Sequence, residues 1–264
     1  MAYLLLLLTL LGYSASAINT LRALANSRVD DSKLASITAI VGFAAHAALL
    51  YWHLQRDQFD HLNVAISLSV VAWLLAGLTL IRGHRHSGLL LRPVIYLFAA
   101  LSAILVVFTP VSWGANIASV HGLVIHIVLS LLAYGVLALA TLYAVQLNYL
   151  NKVLKQRKST AIANYLPPLL TVERYFFRLL SAGTGLLALA IISGFVFLDD
   201  LFAQGQAHKT ILSLIAFATY AGIVLLHKFS GARGRVVVSG TVIAGLILTL
   251  AYFGSRFVKD VILG

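Results

Sequence analysis

The sequence predicts an all-α, polytopic transmembrane bundle of about eight helices with both termini outside. Three observations predict it: apolar runs of roughly 20 residues recur along the whole chain, charged residues fall in the gaps between them, and basic residues crowd into alternate gaps. With 61% hydrophobic residues, 10% charged residues and a mean hydropathy of +0.95, the chain carries more apolar surface than a water-soluble core can hide. No polar stretch is long enough to fold alone, so residues 1–264 read as a single integral membrane domain.

The spans are expected near 2–21, 34–54, 62–81, 93–112, 120–150, 179–198, 210–228 and 236–255. The first contains Leu4–Leu8 and then Ser14-Ala15-Ser16-Ala17, which is similar to a signal-peptide cleavage site. No Lys or Arg precedes that run, whereas Arg22 and Arg28 follow it, so it is read as a retained helix. The fifth run is the longest and is expected to project past the bilayer, carrying Gln146, Asn148 and Tyr149 into the interface.

Of the 19 basic residues, all but Arg56, Lys209, Arg256 and Lys259 fall in the gaps after spans one, three, five and seven. Positive charge marks the cytoplasmic side, which puts those gaps inside and both termini outside. The net charge of +11 is therefore read as topology, and no nucleic-acid partner is expected. Between Asn151 and Arg178, cations alternate with apolar residues around Pro167-Pro168. That segment is read either as a surface element meeting anionic lipid or as a solvated basic loop. Ala190 with Gly194, and Gly240 with Ala244, have the four-residue small-residue spacing of helix contacts in lipid.

Cysteine is absent, which excludes disulfides, thiol redox chemistry and cysteine metal sites. No Asp, Glu, Lys or Arg sits centrally in a span, which disfavours proton-coupled transport and cation sites. No internal repeat or matched pair of broken helices points to a permease, and no carboxylate accompanies the histidines as a buried zinc hydrolase would need.

Nine histidines are present, most of them in gaps or near interfaces. His46 lies near the middle of span two, His126 inside the outer part of span five, and His227 near the cytoplasmic end of span seven. An imidazole in hydrocarbon needs a partner: an interhelical hydrogen bond or, alternatively, a metal or haem iron. His46 shares a face with Gly42 and His53; Ser213, Tyr220 and His227 recur every seven residues; Ser130 and Tyr134 follow His126 at four-residue steps. These stripes serve either role.

Four stretches, taken in order, resemble the cytochrome c assembly family (CcsA-type), in particular its short YpjD-like and HemX-like branch. They are His126-Ile-Val-Leu-Ser-Leu-Leu-Ala-Tyr134-Gly, Leu166-Pro-Pro-Leu-Leu-Thr-Val-Glu-Arg174, Ala190-Ile-Ile-Ser-Gly194 and Thr219-Tyr-Ala-Gly-Ile-Val-Leu-Leu-His227-Lys. The similar region runs over about 34–255 and is strongest over 120–230.

The resemblance implies a multi-pass protein of the bacterial cytoplasmic (inner) membrane that holds or passes haem, here haem b, without catalysing a bond change. Its partners would be membrane lipid, haem and another membrane protein. Carried over by position, His46 and His227 resemble the family's transmembrane haem-ligating pair, and His126 its first outer histidine. His46 with His126 is a competing pair. The family's Trp-rich haem-presenting loop corresponds here to Asp199-Asp-Leu-Phe-Ala-Gln-Gly-Gln-Ala-His208-Lys, which has no Trp. His208 is the remaining candidate for a second outer ligand. A non-enzymatic scaffold or accessory subunit is the alternative that these missing tryptophans suggest.

Overall fold

In the computed structural model, residues 1–25, 33–82, 88–110, 115–116, 121–155, 167–197 and 207–254 are described. Their α-helices are α1 (Ala2–Ala25), α2 (Lys33–Arg56), α3 (Val64–Ile81), α4 (Arg92–Phe108), α5 (His121–Lys155), α6 (Leu169–Phe197), α7 (Ala207–Ser230) and α8 (Arg235–Thr249), the last running into a π-helical turn, Leu250–Gly254. Seven are long and apolar enough to cross a membrane, and α4 is a shorter apolar helix. The expected polytopic helical bundle is therefore the observed fold. His84, His86 and the loop Asp199–Gln206 lie outside the described residues.

Helix ends differ from the expected spans where local chemistry overrides hydropathy. Span four was expected to reach residue 112, but α4 stops at Phe108 because Pro110 drives Thr109 out of the helical region, to φ −91° and ψ 128°. Span six was expected from residue 179, yet α6 begins ten residues earlier, at Leu169. The Pro168 carbonyl accepts the N–H groups of Thr171 and Val172, at 2.9 and 3.2 Å, so the proline pair starts a helix there. Leu169–Arg178 is thus the first part of α6, and residues 156–166 of the expected surface segment lie outside the described residues. The 35 residues of α5 form one continuous helix of about 52 Å, well beyond a hydrocarbon thickness of about 30 Å.

The chain packs as two compact units, Met1–Asn116 with Lys152–Val172, and Ile117–Asn151 with Glu173–Gly264. In the first, α1 packs on α2 and α4, and α3 on α2 and α4. Along α1 the usual polarity is inverted: Thr9, Ser16 and Thr20 are buried, while Leu4, Leu7, Leu8 and Leu11 are exposed. Outward Leu costs nothing in lipid, whereas inward hydroxyls find carbonyls. Thr9 and Thr20 donate one turn back to Leu5 and Ser16, both at 2.8 Å, and Ser16 reaches across to Ala35 of α2 at 2.7 Å. The two helices approach closest at Gly12 and Gly42, where a Cβ on Gly12 would lie 2.6 Å from the Gly42 Cα.

Between α2 and α3 the backbone of Gln58 and Phe59 is left-handed, with φ of 53° and 63°. The Asp57 carboxylate braces that turn by accepting the His61 N–H at 2.8 Å and its ring Nδ1–H at 3.0 Å. His61–Leu62 (β1) then pairs antiparallel with Ala115–Asn116 (β2), and Asn63 caps α3 by accepting the Ile66 N–H at 2.8 Å.

In the second unit small residues again permit close approach. A Cβ on Gly183 of α6 would lie 2.7 Å from Leu137 of α5, and one on Gly245 of α8 2.7 Å from the Thr141 hydroxyl. Of the expected small pairs, Ala190 and Ala244 are buried, and Gly240 faces Ile223 of α7 at 3.0 Å.

Gly12→Val places side-chain carbons against backbone that cannot yield, and is expected to destabilise the protein by about 2 kcal/mol or more. Gly185→Ala, with nothing within 4 Å of the new Cβ, is the matched control and should not lower stability. Thermal unfolding of both variants in detergent checks the difference.

Candidate functional site

The candidate histidines fall into different surroundings, and the difference is chemical. His46 is fully buried in the first unit. Its Nε2 lies 2.7 Å from the Ser69 hydroxyl and its Nδ1 3.4 Å from the Tyr13 hydroxyl. Ser69 in turn lies 3.3 Å from Ser102, which donates to the Ala99 carbonyl at 2.9 Å. The Tyr13 ring sits edge-on to His46 and stacks on Tyr96, with centroids 5.8 and 5.5 Å apart. Both ring nitrogens of His46 therefore have protein partners.

His126 and His227 belong to the second unit and share another pattern. His126, in the first turns of α5, places Nδ1 2.9 Å from the Ala190 carbonyl and 3.1 Å from the Ser193 hydroxyl of α6. A carbonyl only accepts, so Nδ1 carries the proton and Nε2 the lone pair. Ser193 spends its own proton on the same carbonyl, at 2.7 Å, which leaves its oxygen free to accept from the imidazole. One buried small-residue stretch of α6, expected to serve packing, thus also orients a histidine.

His227 is held by the end of its own helix. Gly231, at φ +64°, closes α7 in a left-handed cap by donating its N–H to the His227 carbonyl at 3.0 Å. The chain then turns so that the Ala232 carbonyl receives the His227 Nδ1–H at 2.9 Å. Again Nε2 keeps the lone pair. The imidazole lies flat on Phe177 of α6, with ring centroids 3.3 Å apart and planes within 9°. Nearby, Arg233 pairs with Glu173 at 3.5 Å. His208 is exposed in the first turn of α7.

A metal-ligating histidine commonly donates its other ring N–H to a carbonyl or carboxylate, which fixes tautomer and orientation. His126 and His227 fit that requirement for a haem iron. His46 does not, because a metal–imidazole bond of about 2 Å would occupy the place of the Ser69 or Tyr13 hydroxyl. Nor do His126 and His227 reach one iron together. Their contacts on α6, Ala190 and Phe177, are thirteen residues apart, or about 20 Å along the helix. Among the described residues no three His, Asp or Glu side chains form a metal cage, but a haem iron would need only one or two protein ligands.

Sequence reasoning found the histidines but missed their partners Tyr13, Ser69, Ser102, Ser193 and Phe177. The stripe beginning at His126 was visible, and its last member continues the polar contacts. Tyr134 hydrogen-bonds Thr249 of α8 at 2.9 Å and stacks on Tyr252 of the π-helical turn.

Seven membrane-length apolar helices define a multi-pass helical membrane protein. The family model described as Cytochrome C assembly protein matches residues 3–263, and the chain belongs to the cytochrome c assembly protein family. It is similar to the inner membrane protein YpjD of Escherichia coli K12, 33% identical over 97% of this chain and 98% of that one. It is also similar to the protein HemX of Brevibacillus brevis, 25% identical over 94% of this chain and 93% of that one. No solved structure matches. The chain is a multi-pass protein of the inner membrane.

Tyr134→Phe removes one interhelical hydrogen bond, while Thr249 keeps its 2.7 Å bond to the Gly245 carbonyl. The expected loss is only about 0.6–1 kcal/mol, measurable by unfolding in mixed micelles.

Proposed function

We propose that this chain holds or passes haem in the inner membrane, acting as a binding protein without catalysing a bond change. The observation that carries this reading is the pair of lone-pair imidazoles, His126 and His227, each with Nδ1–H committed to a backbone carbonyl, in a chain of the cytochrome c assembly family. Haem, when bound, would supply an iron that accepts an imidazole nitrogen. The protein's part is to fix the tautomer that has its lone pair on Nε2 and to hold the ring in place. At His227 the Ala232 carbonyl fixes the tautomer and Phe177 fixes the ring plane. At His126 the Ala190 carbonyl and Ser193 do the same. His208, exposed on α7, is a weaker candidate because its ring is open to the surroundings.

Both termini are proposed to face outward, with His126 toward the outer end of its helix and His227 toward the cytoplasmic end. The distribution of Lys and Arg supports this orientation. An alkaline phosphatase fused after Gly264 is then expected to be active, and a fluorescent protein fused there to stay dark.

Titration of the purified protein with haem is expected to produce a Soret band. His227→Ala is expected to weaken binding at least tenfold, and Phe177→Ala, which frees the ring, by about 10- to 100-fold. Absence of any haem-dependent band in the unaltered protein would overturn the reading. In that case the accessory-subunit alternative gains ground, since the stretch 199–209 contains no Trp.

A further inference from the structure

The hydrogen-bond chain around His46 runs through all four helices of the first unit, and proton counting gives it a direction. Ser102 spends its only proton on the Ala99 carbonyl, so across the contact with Ser69 it can only accept. Ser69 therefore donates to Ser102 and accepts from His46 Nε2–H at 2.7 Å. With Nε2 protonated, Nδ1 of the neutral ring accepts from the Tyr13 hydroxyl. The sequence is Tyr13 of α1, His46 of α2, Ser69 of α3, Ser102 of α4 and the Ala99 carbonyl, with every donor matched to one acceptor. Tyr13, His46, Ser69 and Ser102 are each at most 1% exposed, so no face is left for a planar macrocycle.

We propose that His46 is a positioning residue, the hub of a directional hydrogen-bond clasp that locks α1–α4 in the absence of haem, and that haem ligation belongs to the histidines of the second unit. The second half rests on the proposed haem-binding function; the first half does not. Without water in the hydrocarbon, each polar member is held in place by the others, because leaving one unpaired is costly. His46 thereby differs in role from His126 and His227, whose backbone-carbonyl partners leave Nε2 open.

The test is a double-mutant cycle on the haem-free protein in detergent, read by thermal unfolding. Ser69→Ala is expected to lower the midpoint when His46 is present and to lower it less in the His46→Leu background, where only the Ser69–Ser102 link is left to lose. Equal lowering in both backgrounds overturns the clasp. Should His46→Leu fail to insert, Ser69→Ala and Ser102→Ala are compared singly and together. Links of one chain give a non-additive loss, and strict additivity overturns the proposal. In the haem arm, Ser69→Ala and His46→Leu are expected to keep the unaltered protein's haem uptake, while His227→Ala loses it. Loss of haem uptake on replacing His46, with the unfolding midpoint retained, overturns the assignment to the second unit. If the unaltered protein takes up no haem, the proposed function fails and the unfolding cycle alone decides the clasp.

Discussion

The bilayer interior offers no water, and every polar group placed there is satisfied by the protein or left at a cost of several kcal/mol. That constraint explains the inverted polarity of α1, where leucines face out and hydroxyls face in. It also explains why threonines return to carbonyls one turn back and why the buried His46 ring is tied to specific partners. Apolar contact alone distinguishes poorly between helix faces when lipid is as apolar as leucine. The hydroxyl and imidazole contacts, together with the glycine crossings, give each helix a defined neighbour and rotation.

Within that constraint, the kind of partner decides what an imidazole can do. A backbone carbonyl only accepts, so it commits one ring nitrogen as donor and leaves the other with a lone pair. His126 and His227 are in that state through Ala190 and Ala232. Hydroxyls donate and accept, and His46, placed between two of them, has both nitrogens engaged. Three histidines on apolar helices thus carry different chemistry because their neighbours differ.

Close approach supplies the remaining specificity. Gly12 and Gly42 bring two backbones together, which allows Ser16 to reach the Ala35 carbonyl of the adjacent helix. In the second unit the left-handed Gly231 ends α7 and turns the chain so that the Ala232 carbonyl meets the His227 ring. Here a glycine three residues past the histidine's neighbour Lys228 shapes the site through its backbone alone. The signal was in the sequence, as His227-Lys-Phe-Ser-Gly231, and helix-cap chemistry gives it meaning.

The sequence by itself determined the helical membrane fold, the approximate position of every span and the placing of His46, His126 and His227 within or at the ends of helices, because hydropathy and charge are properties of consecutive residues. It also held the proline signals at Pro110 and Pro168 that set the ends of α4 and α6, although apolar content alone ran past one and started late at the other. What only the tertiary structure decided was which ring nitrogens each histidine commits to a protein partner. That choice rests on Tyr13, Ser69, Ala190 and Ser193, which stand 23 to 67 positions away in the chain. For His227 it rests on a cap conformation together with Phe177, on another helix. Tautomer and orientation are set by contacts across helices, and no periodicity within one helix encodes them.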